Sequence, residues 1–418
     1  MEHTRTHARW VGVALALSLC ASSALAGDVH IAERPLIGPF TSLQSAVDAA
    51  LEGESLLVTP GEYRPFTIDG KSVRVLVTSG GEAAISGGVT VKNIAAPQHV
   101  VLSRLNVTGG FSGPQLLPAL EIANIDGHVR VQDSVFVGCS TSGNHAITGA
   151  GARVESSHNV VFSACTIEAG RSLFSTASAP TDGGNGVDAI TSSIALYDCT
   201  IRGGSGSSGS LPSCGKGGAA YLALGNGLFA HGTSFEGGDG GRDFSGCAPG
   251  GAGGDALVLD LAQAHLLDDV FLPGAGGSSH CGAFGTDGTS IVTLNGAVID
   301  SILGTRRRIL APTITSDDTS VRITIFGQPG DTVFLMVARR PSFLFKKPLH
   351  GAWMLPMPSF SNGLAAGTIG ANGELTLQRT FDIADGSEVA RMTWLQALCV
   401  DTSGYPTLTG PAHVLSLE

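Results

Sequence analysis

The chain has 418 residues, including 59 Gly and 19 Pro, and only 14% are charged, whereas ordinary domains carry ~7% Gly and ~25% charged residues. A 43% apolar content excludes disorder, the lack of a Gly-X-Y period excludes collagen, and abundant Gly with few charged residues excludes a helical bundle. A net charge of −11 argues against a nucleic-acid partner, which needs clustered cations, and leaves a turn-rich, mostly β protein.

Arg5 and Arg9 precede an apolar stretch, Trp10 to Ala26, that ends Ala24-Leu25-Ala26. This is the pattern of a secretory signal peptide over residues 1–26, so the mature chain is expected to be secreted or at the cell surface. Cys20 follows Leu19, where a lipoprotein would carry a small residue. No later segment reaches ~18 consecutive apolar residues, so no transmembrane span is expected in the mature chain. Thr41-Ser42-Leu43-Gln44 has capping-box spacing and opens an amphipathic helix through Ala50. An apolar strand and the run Val58-Thr59-Pro60-Gly61-Glu62-Tyr63 follow.

Six segments then superimpose, starting at Val100, Val129, Val160, Ile194, Leu228 and His265. Core-type residues recur at −5, −3, 0 and +2 around the anchors Leu105, Ser134, Cys165, Cys199, Thr233 and Val270, separated by 29, 31, 34, 34 and 37 residues. The period of two, broken by a bend at −2/−1, predicts two short strands. Another strand precedes each pair, for example from Leu120, Val154, Val187, Ala220 and Ala256. Three strands per repeat, none able to bury its own apolar side, predict a parallel stacked coil. Roughly ten coils at ~4.8 Å each would give a rod of about 50 Å. His99, His128 and Asn159 share position −6 and read as a turn ladder. Gly203–Gly218, Gly237–Gly254 and Gly274–Gly288 hold much of the glycine, and are expected to leave one side of the rod as a glycine-rich layer.

Arg306-Arg307-Arg308 and Pro312 mark a junction, after which short alternating segments begin at Val321, Thr332, Glu374, Thr393 and His413. They predict a small antiparallel β-sandwich over 305–418. Its basic and aromatic loop Arg339–Lys347 reads either as a grip on an anionic polymer or membrane surface, or as a hairpin.

The helix, the strand and the V-x-P-G-x-Y run resemble the N-terminal cap and first coil of the pectin-lyase-like right-handed parallel β-helix superfamily, and the likeness extends over about Phe40 to Gly304. It implies an all-β fold: a right-handed parallel β-helix over 27–304 with an N-terminal capping helix, followed by the C-terminal sandwich. The superfamily includes lyases, hydrolases, esterases, adhesins and non-catalytic proteins, so activity must be argued from a site. Its lyases place carboxylates for Ca²⁺ and a basic residue along the first strand of each coil. The outward positions read there are Asn124, Arg153, Glu155, Tyr221 and Asp260. Arg153 and Glu155 are the catalytic candidates, and Asn124, Tyr221 and Asp260 the substrate-binding ones. Gln132-Asp133 and Val187-Asp188 faintly resemble two pectin methylesterase motifs, but 55 residues separate the aspartates where about one coil is needed. The polygalacturonase motifs are missing.

Gly183–Thr191 and Gly250–Val258 match the calcium nonapeptide, making Asp188 and Asp255 Ca²⁺ candidates, although no cofactor is required. Cys165 and Cys199 share the anchor position on neighbouring coils, within disulfide range as Cα atoms, and are either bridged or stacked as free thiols. Cys214, Cys247 and Cys281 recur in the Gly-rich loops, where a bridge between two of them suits an oxidising compartment. The expected function is a non-catalytic exported protein that binds polysaccharide or serves as an adhesin-like structural element. The alternative is a polysaccharide-active enzyme, a lyase before a hydrolase or esterase.

Overall fold

Repeats of about thirty residues can bury their apolar sides only against their neighbours, and the computed structural model resolves how. It describes residues 28–417 except 35–36, 38, 79, 113–114, 142–146, 173–179, 210–213, 245–247, 313, 317–319, 357–363 and 381–389. The expected signal peptide and Cys247 lie outside the described residues. Among the described residues the chain is all-β around one α-helix, Leu43–Ala49. The helix is capped by Ser42, whose side chain accepts from Ser45 N, rather than by Thr41 of the expected capping box. Its buried Leu43, Ala46 and Val47 join the solenoid core.

Each coil has three strands, in the order strand one, two and three. Strand one, Leu120–Ile125, pairs in parallel with Val89–Ile94 and Ala152–Ser157. Strand two, His128–Gln132, lies between His99–Ser103 and Val160–Ser163, and strand three, Val135–Val137, between Leu105–Thr108 and Thr166–Glu168. The result is a β-solenoid of about six turns. Strands upstream of Val100 bring the strand-three sheet to eight, fewer than the ten coils expected. In-register stacking places like on like, so Val100, Val129, Val160, Ile194 and Leu228 form one buried ladder, and Val107, Phe136, Ile167, Ile201 and Phe235 another.

The bend between strands two and three is a single left-handed residue per coil: Arg104, Asp133, Ala164, Asp198, Gly232 and Asp268 all have positive φ. This corrects the last repeat. Ser234 pairs with Val270, so Asp269, not Val270, stands at the anchor position. Burial pushes the Asp269 carboxyl pKa up to about 7, against hydrogen bonds from Thr233 N and Leu267 N.

Beyond residue 305, Arg308–Leu310, Ser320–Phe326 and Glu374–Thr380 form one antiparallel sheet. A second sheet runs Ile314–Ser316, Ala412–Leu417, Ala390–Val400, Thr332–Ala338, Leu364–Thr368. Its first pair is parallel, unlike the antiparallel pattern expected. Ile309, Ile323 and Ile325 of one sheet share a core with Val333, Leu335, Leu395 and Val414 of the other.

This C-terminal module lies against the outward side of strand two. Leu76 and Val101 pack with Trp353, Trp394 and Leu408, and Val161, Ala195 and Phe229 with Ala352, Met354, Phe343 and Phe345. Strand two is therefore buried on both faces, which is why its sequence reads as a nearly continuous apolar run. The Arg339–Lys347 loop contains the first strand of a hairpin (Leu344–Lys346 with Gly351–Trp353), and its Phe345 lies 5.3 Å from Phe229 and 4.2 Å from His265 between ring centroids. Its aromatics thus serve packing. His99 and His128 do stack in register, half-buried, with Trp394 edge-on to His99 at 6.4 Å.

Candidate functional site

On the strand-one face, Arg153 and Glu155 form an ion pair at 3.2 Å with both side chains nearly half exposed. Register places Glu121 and Asp188 on either side of Arg153. Burial raises the Asp188 carboxyl pKa, opposed by the amide of Asn185, which donates to it at 2.7 Å, and by Arg153. Of the other candidates, Asn124 lies one coil away, next to Ala123, the register partner of Glu155, and Asp260 lies apart. Asn124 is the left-handed corner residue (φ 57°), and its amide donates to Asn93 Oδ1 at 3.2 Å. Asp260 accepts from Asn295 Nδ2 at 2.6 Å, three coils from Glu155.

Tyr221 corrects the expectation outright. It is fully buried, in register with Val187 and Leu257, with its ring edge-on to Phe235 at 6.0 Å. The left-handed corner at Gly225 fixes the parity of the strand, and the residue four before that corner faces inward, as Leu120 does before Asn124.

The two calcium-like motifs are not equivalent in space. Asp188 is inside strand one, whereas Asp255 lies two residues before it, the place of Asn185, and accepts from Thr289 N at 2.7 Å. Among the described residues, no group of three or more His, Cys, Asp or Glu is placed to hold a metal. Cys165 and Cys199 are free, buried thiols, which corrects the bridged reading. Parallel in-register strands keep Cα–Cβ vectors side by side at ~4.8 Å, whereas a disulfide needs Cβ atoms ~3.8 Å apart. Cys214 is also free, and Cys281 is not.

A polar cleft occurs on another side, where strand three runs into the Gly-rich loops. The loops stack main chain on main chain: Gly204 N donates to Gly184 O, Gly218 N to Gly204 O, Gly238 N to Gly218 O, and Gly254 N to Gly238 O. A Cβ on Gly238 would stand 2.0 Å from Gly204 O, so this layer excludes side chains. At its margin, Glu168, Arg202 and Glu236 stack in register. Arg202 Nη1 donates to Glu168 and Nε to Glu236, both at 2.7 Å, and these two carboxylates push the guanidinium pKa up. With Arg171, Ser205 and Asp239 they line a cavity of about 340 Å³. The sequence signal for this cleft was a charged residue at +3 in three successive repeats.

No family model and no curated protein matches the chain. Among solved structures it is similar to the PKD domain of an M14-like peptidase from Thermoplasmatales archaeon SCGC AB-540-F20, at 15% identity and a TM-score of 0.16, over 27% of this chain and 93% of that one. A likeness this low carries no argument.

Proposed function

We propose that this chain is an exported, non-catalytic polysaccharide-binding protein, with a right-handed, pectin-lyase-like coil, a helix-capped N-terminal end and a sandwich-like C-terminal module. The observation that carries the binding reading is the Glu168–Arg202–Glu236 ladder in the cleft. Acceptors and donors alternate there at one rung, ~4.8 Å, which suits a hydroxyl-rich polymer with a regular repeat. Both carboxylates give lone pairs to one guanidinium, an arrangement for holding hydroxyls rather than for delivering a proton. The second reading, a lyase on the strand-one face, is favoured by Asp188 with its raised carboxyl pKa beside Arg153 and Glu155.

Passing the purified mature protein over a panel of immobilised polysaccharides, while monitoring unsaturated products, separates the two. Retention without products is expected, weakened about tenfold (~1.4 kcal/mol) in Arg202→Ala. Products that disappear in Arg153→Ala would establish the lyase instead, and no retention on any polymer would overturn the binding reading. Export is tested by locating the mature chain, cut after Ala26, outside the cytoplasm.

A further inference from the structure

We infer that the cavity between the last coil and the C-terminal module is a second site, for one neutral sugar ring; this rests on the polysaccharide-binding reading but on different residues. The cavity is about 500 Å³, within the range of small-molecule sites. Asp300 to Thr305 line it from the solenoid side, and His350, Asp401 and Tyr405 from the module. Tyr405 is 61% exposed, whereas Tyr63, Tyr197 and Tyr221, the remaining tyrosines of the chain, are buried.

The main chain that carries the exposed ring is held in place. The Asp401 carboxylate accepts from Ser403 N and Tyr405 N at 2.8 and 2.9 Å, and Asp401 N donates to Tyr405 O at 3.0 Å. The His350 ring is nearly parallel to that of Tyr405, 14° between planes and 6.4 Å between centroids. His350 is in the left-handed region, φ 42°, at the turn that follows Lys347–Leu349. An exposed aromatic face rimmed by carboxylate, hydroxyl and amide groups presents what a sugar ring requires: an apolar platform for its C–H face and partners for its hydroxyls. The charged groups of the wall are already engaged, Arg307 with Asp331, Asp300 with His265 and Asp401 with the amides of Ser403 and Tyr405, which suits a neutral ligand.

Nitration of the full mature chain by tetranitromethane, mapped by mass spectrometry, reads this site directly. Tyr405 alone should be modified, and neutral tetrasaccharides of glucose, mannose or galactose should slow its nitration severalfold. Protection should persist in Arg202→Ala, and Tyr405→Ala should weaken saccharide binding about tenfold. Unchanged nitration with all three probes overturns the inference, as does equal protection by choline. If polymer retention depends on Arg202 while Tyr405 stays unprotected, this inference fails and the proposed function stands. If no polysaccharide is retained, the proposed function fails by its own test.

Discussion

Two sides of the solenoid are covered in opposite ways. Beside strand three, the Gly-rich loops form a layer of bare main chain in which neighbouring carbonyls leave no room for a Cβ. Over strand two, the C-terminal module supplies large side chains and also buries charge. Arg130 is 2% exposed and, among the described residues, donates only to main-chain carbonyls, those of Val129 and Asn159 in the solenoid and Ser342 in the module. Burial pushes its pKa down to about 9. His231 accepts from Arg307 N at 3.0 Å, and His413 is buried beside Trp394. The first cover depends on shape alone and the second on protonation state, so each should fail under a different perturbation.

The largest effect should come from the glycine side. Gly238→Ala places a methyl against Gly204 O and should cost about 3 kcal/mol, read as a lower denaturation midpoint at any pH. A loss below ~1 kcal/mol would mean that the layer is compliant and the contrast overdrawn.

The module side should respond to acid. Burial, with nearby arginines, holds His99 and His413 at about 4, and His128 and His231 at about 3, below the ordinary 6.5. Between pH 6.5 and 4 the unfolded chain therefore binds more protons than the folded one, and stability falls as pH falls. Asp198 and Asp269, raised by burial to about 6 and about 7, act in the opposite sense, because their contribution is lost as pH rises through those values. Burial also raises Glu33, Asp133 and Asp188, which act in the same sense as Asp198 and Asp269, but only Asp198 and Asp269 among these carboxyls shift as far as the four histidines, so Tm should drop on acidification. His413→Phe should flatten the slope by at least about 1 kcal/mol over that window, and an unchanged slope would count against the protonation argument.

The smallest effect should come at the margin of the glycine layer. Arg202 is 42% exposed, so Arg202→Ala should change stability by less than ~1 kcal/mol while weakening polysaccharide retention. A large loss of stability would recast the cleft as a structural clamp.

The coil itself was legible because a parallel stack gives each inward residue the same neighbours in every turn. Period, spacing and a bend before each anchor are enough to place Val129, Phe136 and Ile167 in the core. The bend was legible even where its left-handed residue is Arg104 or Ala164, types that rarely adopt that conformation. The candidate site was far less legible. Tyr221 was assigned to the wrong face because a short strand of Ala, Leu and Tyr has no polar alternation to fix its parity, which the Gly225 corner sets instead. Cys165 and Cys199 satisfied a Cα distance, but the parallel direction of their Cβ atoms is a property of the sheet.

By itself, then, the sequence determined what repeats: an all-β coil, its inward ladders, and the glycine loops emerging on one side. Only the tertiary structure decided what covers that coil. The apolar outer positions Val101, Val161 and Phe229 take their meaning from a module more than a hundred residues away, and the Glu168–Arg202–Glu236 cleft exists only where three turns meet a glycine layer. Local spacing encodes nearest-neighbour stacking, whereas burial of an outer face depends on contacts between segments remote in the chain.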